Sequence, residues 1–187
     1  MIRNIVEKTA ALFLLISFLP LIVTISLLIK LTSEGPIIYW SERVGKDDRI
    51  FFMPKFRTMH IKTPQVATHL LEDPDRHTTL IGKILRKYSL DELIQLFSIV
   101  LGDMCFIGPR PALFNQYDLI ELRRKEGLNT LKPGITGWAQ VNGRDEISIQ
   151  EKVTLDNEYF KKKSVSFDLY ILWLTLKKIM TKEGISH

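Results

Sequence analysis

The sequence predicts an α+β fold, mainly α: an apolar N-terminal segment, a small β-hairpin and then a compact helical domain. Three observations carry this. Residues 9–29, TAALFLLISFLPLIVTISLLI, form an uncharged run. PIIYW (36–40) and IFFMPKF (50–56) are short β-type runs on either side of the turn-rich SERVGKDDR. From residue 79 onward helix signals dominate. At 187 residues the chain is long enough for one domain with a real core and short for two. Its mean hydropathy of +0.05 is high for a soluble protein, and the excess lies at the N-terminus. A membrane-attached segment, 1–34, followed by a domain of residues 35–187 is the expected division.

The apolar run is long enough to span a bilayer, since about 20 residues at 1.5 Å rise cross its core as a straight helix. Pro20 at its centre argues for a break. It has no N–H for the carbonyl of Ile16, and its ring collides with that turn. In lipid the freed carbonyl needs a donor, and Ser17 and Thr24 are near enough in sequence to supply one. Arg3 and Lys8 precede the run, and Lys30, Arg43 and Lys46 follow it, so both flanks carry the bias of cytoplasmic ends. A cleaved signal is disfavoured by the length of the run and by the lack of a small-x-small site before Lys30. The residues alone leave open a kinked span and a helix that enters the membrane and returns.

After the hairpin, residues 61–78 (IKTPQVATHLLEDPDRHT) are polar with two prolines and read as an irregular loop. Helices are expected at 79–87, 89–101 and 111–126, then a Pro/Gly-rich loop at 132–144, then helices near 146–160 and 166–181. The last, SFDLYILWLTLKKIMT, suits either a buried core helix or an interfacial one with Trp173 at headgroup depth and Lys177 and Lys178 reaching lipid phosphates. A net charge of +5 favours an anionic partner without choosing among lipid, nucleotide and nucleic acid. The single cysteine, Cys105, excludes an internal disulfide framework, and His60, His69, His77 and His187 form no short zinc pattern.

The stretch SLDELIQL (89–96) admits two readings. Ser89 followed three residues later by Glu92 is a capping box, which makes Ser89 an N-cap and gives Asp91 only a favourable place in the helix dipole. The same geometry puts Asp91 and Glu92 in the field of a helix N-terminus, which keeps carboxylates ionised, able to attack phosphorus or to hold Mg²⁺. Arg86 stands just upstream, and in GDMCFIGPRP (102–111) a stiff turn of Gly108, Pro109 and Pro111 presents Arg110 in a defined direction. That placement suits bidentate phosphate binding.

PKFRTM (54–59), SLDELIQL with GDMCFIGPRP, and KPGITGWAQVNGR (132–144) together closely resemble the bacterial sugar transferase family, in its small monotopic phosphoglycosyl transferase form. The resemblance runs over nearly the whole chain. It implies transfer of a phosphosugar from a UDP-sugar to a polyprenol phosphate, usually undecaprenyl phosphate, with release of UMP, as the first membrane step of glycan or glycoprotein biosynthesis. It implies Asp91 as nucleophile through an aspartyl-phosphosugar intermediate, Glu92 as its partner, and the pair as the Mg²⁺ site. Lys55, Arg86, Arg110 and Arg144 match basic positions assigned to diphosphate and uridine recognition, and Asp156 and Asp168 match later acidic positions of the substrate site. It also implies a helix that enters the cytoplasmic leaflet of the bacterial inner membrane, breaks at Pro20 and returns, leaving the catalytic domain on the cytoplasmic face against the phospholipid.

Three positions depart from the family pattern: Leu19 replaces the serine common before the breaking proline, Ile94 a common proline, and Ser98 a common asparagine. Two other function classes compete with the transferase. A non-catalytic membrane protein that binds nucleotide-sugar or scaffolds a glycan pathway is opposed by the intact dyad and would show no turnover. A membrane-tethered nucleic-acid binder has the charge but no fold signature, so no nucleic-acid partner is expected. Neither the sugar nor the oligomeric state is marked by any motif.

Overall fold

The computed structural model describes residues 2–64, 73–143 and 147–181. The apolar run is two helices, α1 (Ile2–Ser17) and α2 (Leu19–Thr32), bent by 60° at Phe18. Pro20 lies in the first turn of α2, where its missing N–H costs nothing, so the break falls just before it. The two hydroxyls expected to repair the break do other work. Ser17 Oγ donates to the Phe13 carbonyl at 2.9 Å and Thr24 Oγ1 to the Pro20 carbonyl at 2.8 Å, each one turn back along its own helix. Such back-bonding bends helices, and Ser17 does it one residue before the bend.

The hairpin is longer than expected: β1 (Ile38–Val44) takes in half of the presumed turn and pairs antiparallel with β2 (Ile50–Phe56). The turn is confined to 45–49, with Asp47 and Asp48 at positive φ. The expected loop at 61–78 is described only at its ends. There Pro74–His77 forms a single helical turn, α3, capped by Asp73, and Met59 bridges to Thr78. Helix α4 (Leu80–Lys87) follows, with Thr79 as its N-cap.

The helix expected at 89–101 is instead a 3₁₀ turn, Leu90–Gln95, leading into a short α5 (Leu96–Leu101). Strand β3 (Cys105–Ile107) comes next. The helix expected from 111 begins only at 117: Ala112–Leu113 is a strand, β4, that pairs with β1 and gives the sheet order β2-β1-β4, and α6 spans Tyr117–Lys125. The Pro/Gly-rich segment likewise contains structure. β5 (Gly134–Thr136) runs parallel to β3, and α7 covers Trp138–Val141. Helices α8 (Ile149–Lys162) and α9 (Val165–Thr181) close the chain as expected, α8 with a capping box of Ser148 and Glu151.

Three apolar clusters hold these elements. One joins Ile107, Leu119, Leu128, Val153, Tyr159 and Ile171 across β3, α6, the 3₁₀ turn Leu128–Thr130, α8 and α9. In the second, Ala11 of α1 packs with Phe51, Met53, Leu96, Ile99 and Met104. In the third, Ile25 and Ile29 of α2 pack with Phe56 and Leu85 and touch Leu90 and Ile94. Each arm of the bent pair therefore buries a narrow stripe on the domain. Its other faces leave Ile5, Phe13, Ile16, Leu19, Val23, Leu27 and Leu31 exposed. α9 is two-faced as well: Asp168 and Ile171 point inward, while Leu169, Trp173, Leu176 and Met180 are exposed and Lys177 Nζ lies 5.7 Å over the Trp173 ring. It is thus a core helix on one side and an apolar surface on the other.

Both ends of the bent pair are tied to the same domain. At the start, Arg3 Nη1 reaches Asp168 Oδ2 at 2.9 Å, Asn4 accepts from Lys132 Nζ at 3.2 Å, and Lys8 Nζ donates to the Leu101 carbonyl at 3.3 Å. At the exit, the Arg57 guanidinium gathers the carbonyls of Ser33, Glu34 and Pro36 together with the Ser33 hydroxyl.

Candidate active site

The 3₁₀ turn Leu90–Gln95 presents Asp91 and Glu92. Ser89 sits at φ 52°, in the left-handed region, and makes no side-chain cap bond, so the capping-box reading of SLDE is overturned. Glu92 turns elsewhere. Its Oε1 accepts from Lys55 Nζ and from Arg110 Nη2, both at 2.9 Å. Lys55 comes from β2, and Arg110 from the turn between β3 and β4. Three sequence-distant segments thus meet on one carboxylate oxygen.

Asp91 is 9% exposed, and among the described residues its carboxylate makes no hydrogen bond or ion pair. Lys55, Arg86 and Arg110 are near enough to act on it electrostatically. Burial first, and the Glu92 charge second, nevertheless hold its pKa above the ordinary aspartate value. This corrects the expectation that a helix end would keep Asp91 comfortably ionised: there is no regular α-helix N-terminus at this point, and burial dominates. Burial likewise lowers the pKa of Lys55, against the pull of Glu92.

Three residues of PKFRTM have distinct tasks. Lys55 reaches Glu92, Arg57 pins the chain leaving α2, and Thr58 Oγ1 accepts from Arg86 Nε at 3.0 Å. The Thr58 carbonyl also accepts from the Thr79 N–H at 2.9 Å. Gly82 passes so close that a Cβ there would meet that carbonyl oxygen at 2.1 Å.

The KPGITG segment buttresses the Arg110 turn. Gly108 N donates to the Thr136 carbonyl at 2.9 Å and Gly134 N to the Pro109 carbonyl at 3.0 Å. The glycines permit this approach: a Cβ on Gly134 would lie 2.2 Å from Gly108 N, and one on Gly137 would lie 2.1 Å from the Gly108 carbonyl oxygen. The next two carbonyls are held by arginines, Arg110 O by Arg123 Nη1 at 2.8 Å and Pro111 O by Arg43 Nη1 at 3.0 Å.

Lys55, Arg86 and Arg110 therefore assemble around Asp91 and Glu92. Asp156 does not open toward them: it is 1% exposed, and its Oδ2 accepts from Arg123 Nη2 at 2.6 Å and Nε at 3.0 Å. Asp168 lies on α9, bound by Arg3 and by the Tyr159 hydroxyl, whose one proton is shared between Asp168 Oδ1 at 2.8 Å and the Ile107 carbonyl at 3.1 Å. Arg144, His69 and His187 lie outside the described residues. Sequence reading gave no carbonyl-holding role to Arg43, Arg57 or Arg123, because an arginine that binds main-chain carbonyls leaves no local pattern. A surface hollow of about 370 Å³ lined by Glu126, Val153, Thr154, Asn157, Glu158 and Lys161 includes neither acid of the dyad.

Among the described residues, no group of three or more His, Cys, Asp or Glu side chains could hold a metal. Two adjacent carboxylates remain, one of them without a hydrogen-bond or ion-pair partner among the described residues. That donor set fits Mg²⁺, which takes one or two carboxylates and completes its shell with water and substrate phosphate, better than an ion needing a full protein cage.

A sequence profile described as Bacterial sugar transferase matches residues 1–182. The chain is 38% identical over 189 residues to the protein named uncharacterized sugar transferase EpsL of Bacillus subtilis (strain 168), covering 100% of this chain and 91% of that protein. It is 32% identical over 194 residues to the exopolysaccharide production protein ExoY of Rhizobium meliloti (strain 1021), covering 95% and 85% respectively. To the UDP-glucose:undecaprenyl-phosphate glucose-1-phosphate transferase of Escherichia coli (strain K12) it is 40% identical over 181 residues. That match covers 90% of this chain but only 38% of the larger protein.

Proposed function

The chain belongs to the bacterial sugar transferase family, and on that premise we propose that it moves a phosphosugar from a UDP-sugar to a polyprenol phosphate, with undecaprenyl phosphate as the acceptor. The observation that carries the reading is Asp91: a buried carboxylate with no hydrogen-bond partner among the described residues, flanked by Lys55, Arg86 and Arg110.

A diphosphate repels a carboxylate nucleophile, so its charge must be neutralised before attack. Arg86, Arg110 and Lys55 supply fixed positive charge, and Glu92 orients two of the three through one oxygen. Asp91 and Glu92 would hold Mg²⁺, and the ion would supply further charge neutralisation at the diphosphate. Asp91 Oδ attacks the β-phosphorus, the bond from that phosphorus to the bridging oxygen breaks, and UMP leaves with the electron pair. An aspartyl-phosphosugar remains. A phosphate oxygen of the polyprenol phosphate then attacks the same phosphorus, the acyl-phosphate bond breaks, and Asp91 is restored as the carboxylate. Protein with UDP-sugar and Mg²⁺ but no lipid acceptor should release UMP in a burst stoichiometric with enzyme and carry the phosphosugar on Asp91. UMP release that strictly requires the acceptor, or an adduct on another residue, would point to direct transfer.

The bent pair is read as re-entrant, with residues 1–34 in the cytoplasmic leaflet of the inner membrane and 35–187 as the catalytic domain at its surface. At 16 and 14 residues, the arms are about 24 and 21 Å long, each short of a ~30 Å bilayer core. Contacts from Arg3, Asn4 and Lys8 to the domain support an N-terminus on the same side of the membrane as the domain. Each outward Leu or Phe left in water forgoes about 1.5–3 kcal/mol, which a lipid phase recovers. Single cysteines at the exposed positions 2 and 46 should both resist an impermeant maleimide applied to intact cells and both react after lysis; Cys105 is buried and adds little background. Reaction at position 2 alone would establish a span.

A further inference from the structure

The turn that carries Arg110 cannot hold its own carbonyls. Pro109 and Pro111 have no N–H to contribute, and the Arg110 and Pro111 carbonyls, side by side in the chain, both point to arginine side chains from other elements. Arg123 of α6 takes the first. Its other two guanidinium nitrogens close on Asp156 Oδ2, so one planar group is fixed on two sides. Arg43 of β1 takes the second, with its Nε on the buried Ser41 hydroxyl at 2.9 Å. Among the described residues neither arginine bonds to Asp91 or Glu92, yet one holds the carbonyl of Arg110, which bridges the turn to Glu92, and the other holds the carbonyl of the next residue.

We infer that Arg43 and the Arg123–Asp156 pair are positioning residues for Arg110, clamping consecutive carbonyls of its turn so that the guanidinium meets the substrate diphosphate. This rests on the transferase reading and gives Asp156 a role through Arg123 without substrate contact. The demand for such a clamp is physical. A phosphate-binding fork displaced by about 1 Å loses on the order of 10²-fold in rate, and a turn with two prolines and a glycine has few local bonds to prevent that.

A double-mutant cycle tests it. Arg123→Lys keeps a cation beside Asp156 but cannot reach Asp156 and the Arg110 carbonyl together; Arg43→Lys acts on the other carbonyl. Each is made in the wild-type and in the Arg110→Ala background, and UMP release with UDP-sugar and polyprenol phosphate is measured alongside UDP affinity by calorimetry and thermal melting. Each single substitution should lower kcat/KM by about 10- to 100-fold with a near-native melt. In the Arg110→Ala background the same substitutions should change it by less than about two-fold, because their target is gone. Equal losses in both backgrounds, or full activity of both lysine variants, would overturn the clamp. So would failure of both variants to fold, since the arginines would then be structural. If the wild type releases no UMP from any UDP-sugar, the transferase reading fails instead, and the same cycle in UDP affinity still decides the clamp.

Discussion

Asp91→Asn should abolish turnover while leaving the protein at least as stable as the wild type. A neutral amide cannot attack phosphorus, so UMP release should fall by about 10³-fold or more, as expected when a nucleophile is removed. The stability half is the less obvious one. If Asp91 served a helix end, its loss would cost a few tenths to about 1 kcal/mol. It serves none: Ser89 is left-handed and makes no cap bond, and the segment is a 3₁₀ turn. Burial and Glu92 make the ionised carboxylate unfavourable where it stands, despite the cations around it.

The pH dependence follows. A carboxyl whose pKa is raised by folding contributes stability at acid pH, and that contribution is lost as pH rises through the raised value. The melting advantage of Asp91→Asn over wild type should therefore be absent at low pH, where Asp91 is protonated in both folded and unfolded chains, and should grow toward neutrality. Thermal melts across that range check it. An asparagine variant that is less stable at neutral pH than wild type would restore a structural role for Asp91, and retained UMP release would remove it as nucleophile. A residue that weakens the fold yet is needed for function is the expected mark of a site held ready for a ligand.

How much of this was legible in the sequence depends on the range of each interaction. α4, α8, α9 and the hairpin follow from local spacing and caps, and the break at Pro20 from one ring. β3, β4 and β5 were hidden: each is only two or three residues long, and each exists because it meets a partner tens of residues away, Ala112 beside Val44 and Gly134 beside Cys105. The dyad lay in plain view, but its local pattern, S-x-x-E, pointed to a cap. The true capping box is SIQE at 148–151, where among the described residues no distant cation competes for the glutamate. At Glu92, Lys55 and Arg110 do compete, and those two contacts come from the fold. The arginines on carbonyls were invisible for the same reason.

Gly134→Ala should be the most damaging change outside the dyad. Its new Cβ would lie 2.2 Å from Gly108 N, 2.6 Å from the Thr136 carbonyl oxygen and 2.8 Å from Gly108 Cα, all main-chain atoms that no rotamer change can move aside. Strand β5 must then separate from the segment leading into the Arg110 turn, loosening the bonds from Gly108 N and Gly134 N that hold it. Overpacking of this kind costs about 1–3 kcal/mol or more, a drop of about 2–12 °C in melting temperature for a chain of this size. Turnover should fall further than stability, by about 10²-fold or more, because Arg110 moves with its turn. Gly127→Ala is the control. Gly127 sits at φ 69° after α6, with nothing within 4 Å of a built Cβ, so alanine there strains the backbone by about 1–2 kcal/mol without touching the turn. Comparable destabilisation with UMP release retained in Gly127→Ala and lost in Gly134→Ala would locate the defect in the placement of Arg110; equal turnover in the two variants would refute it.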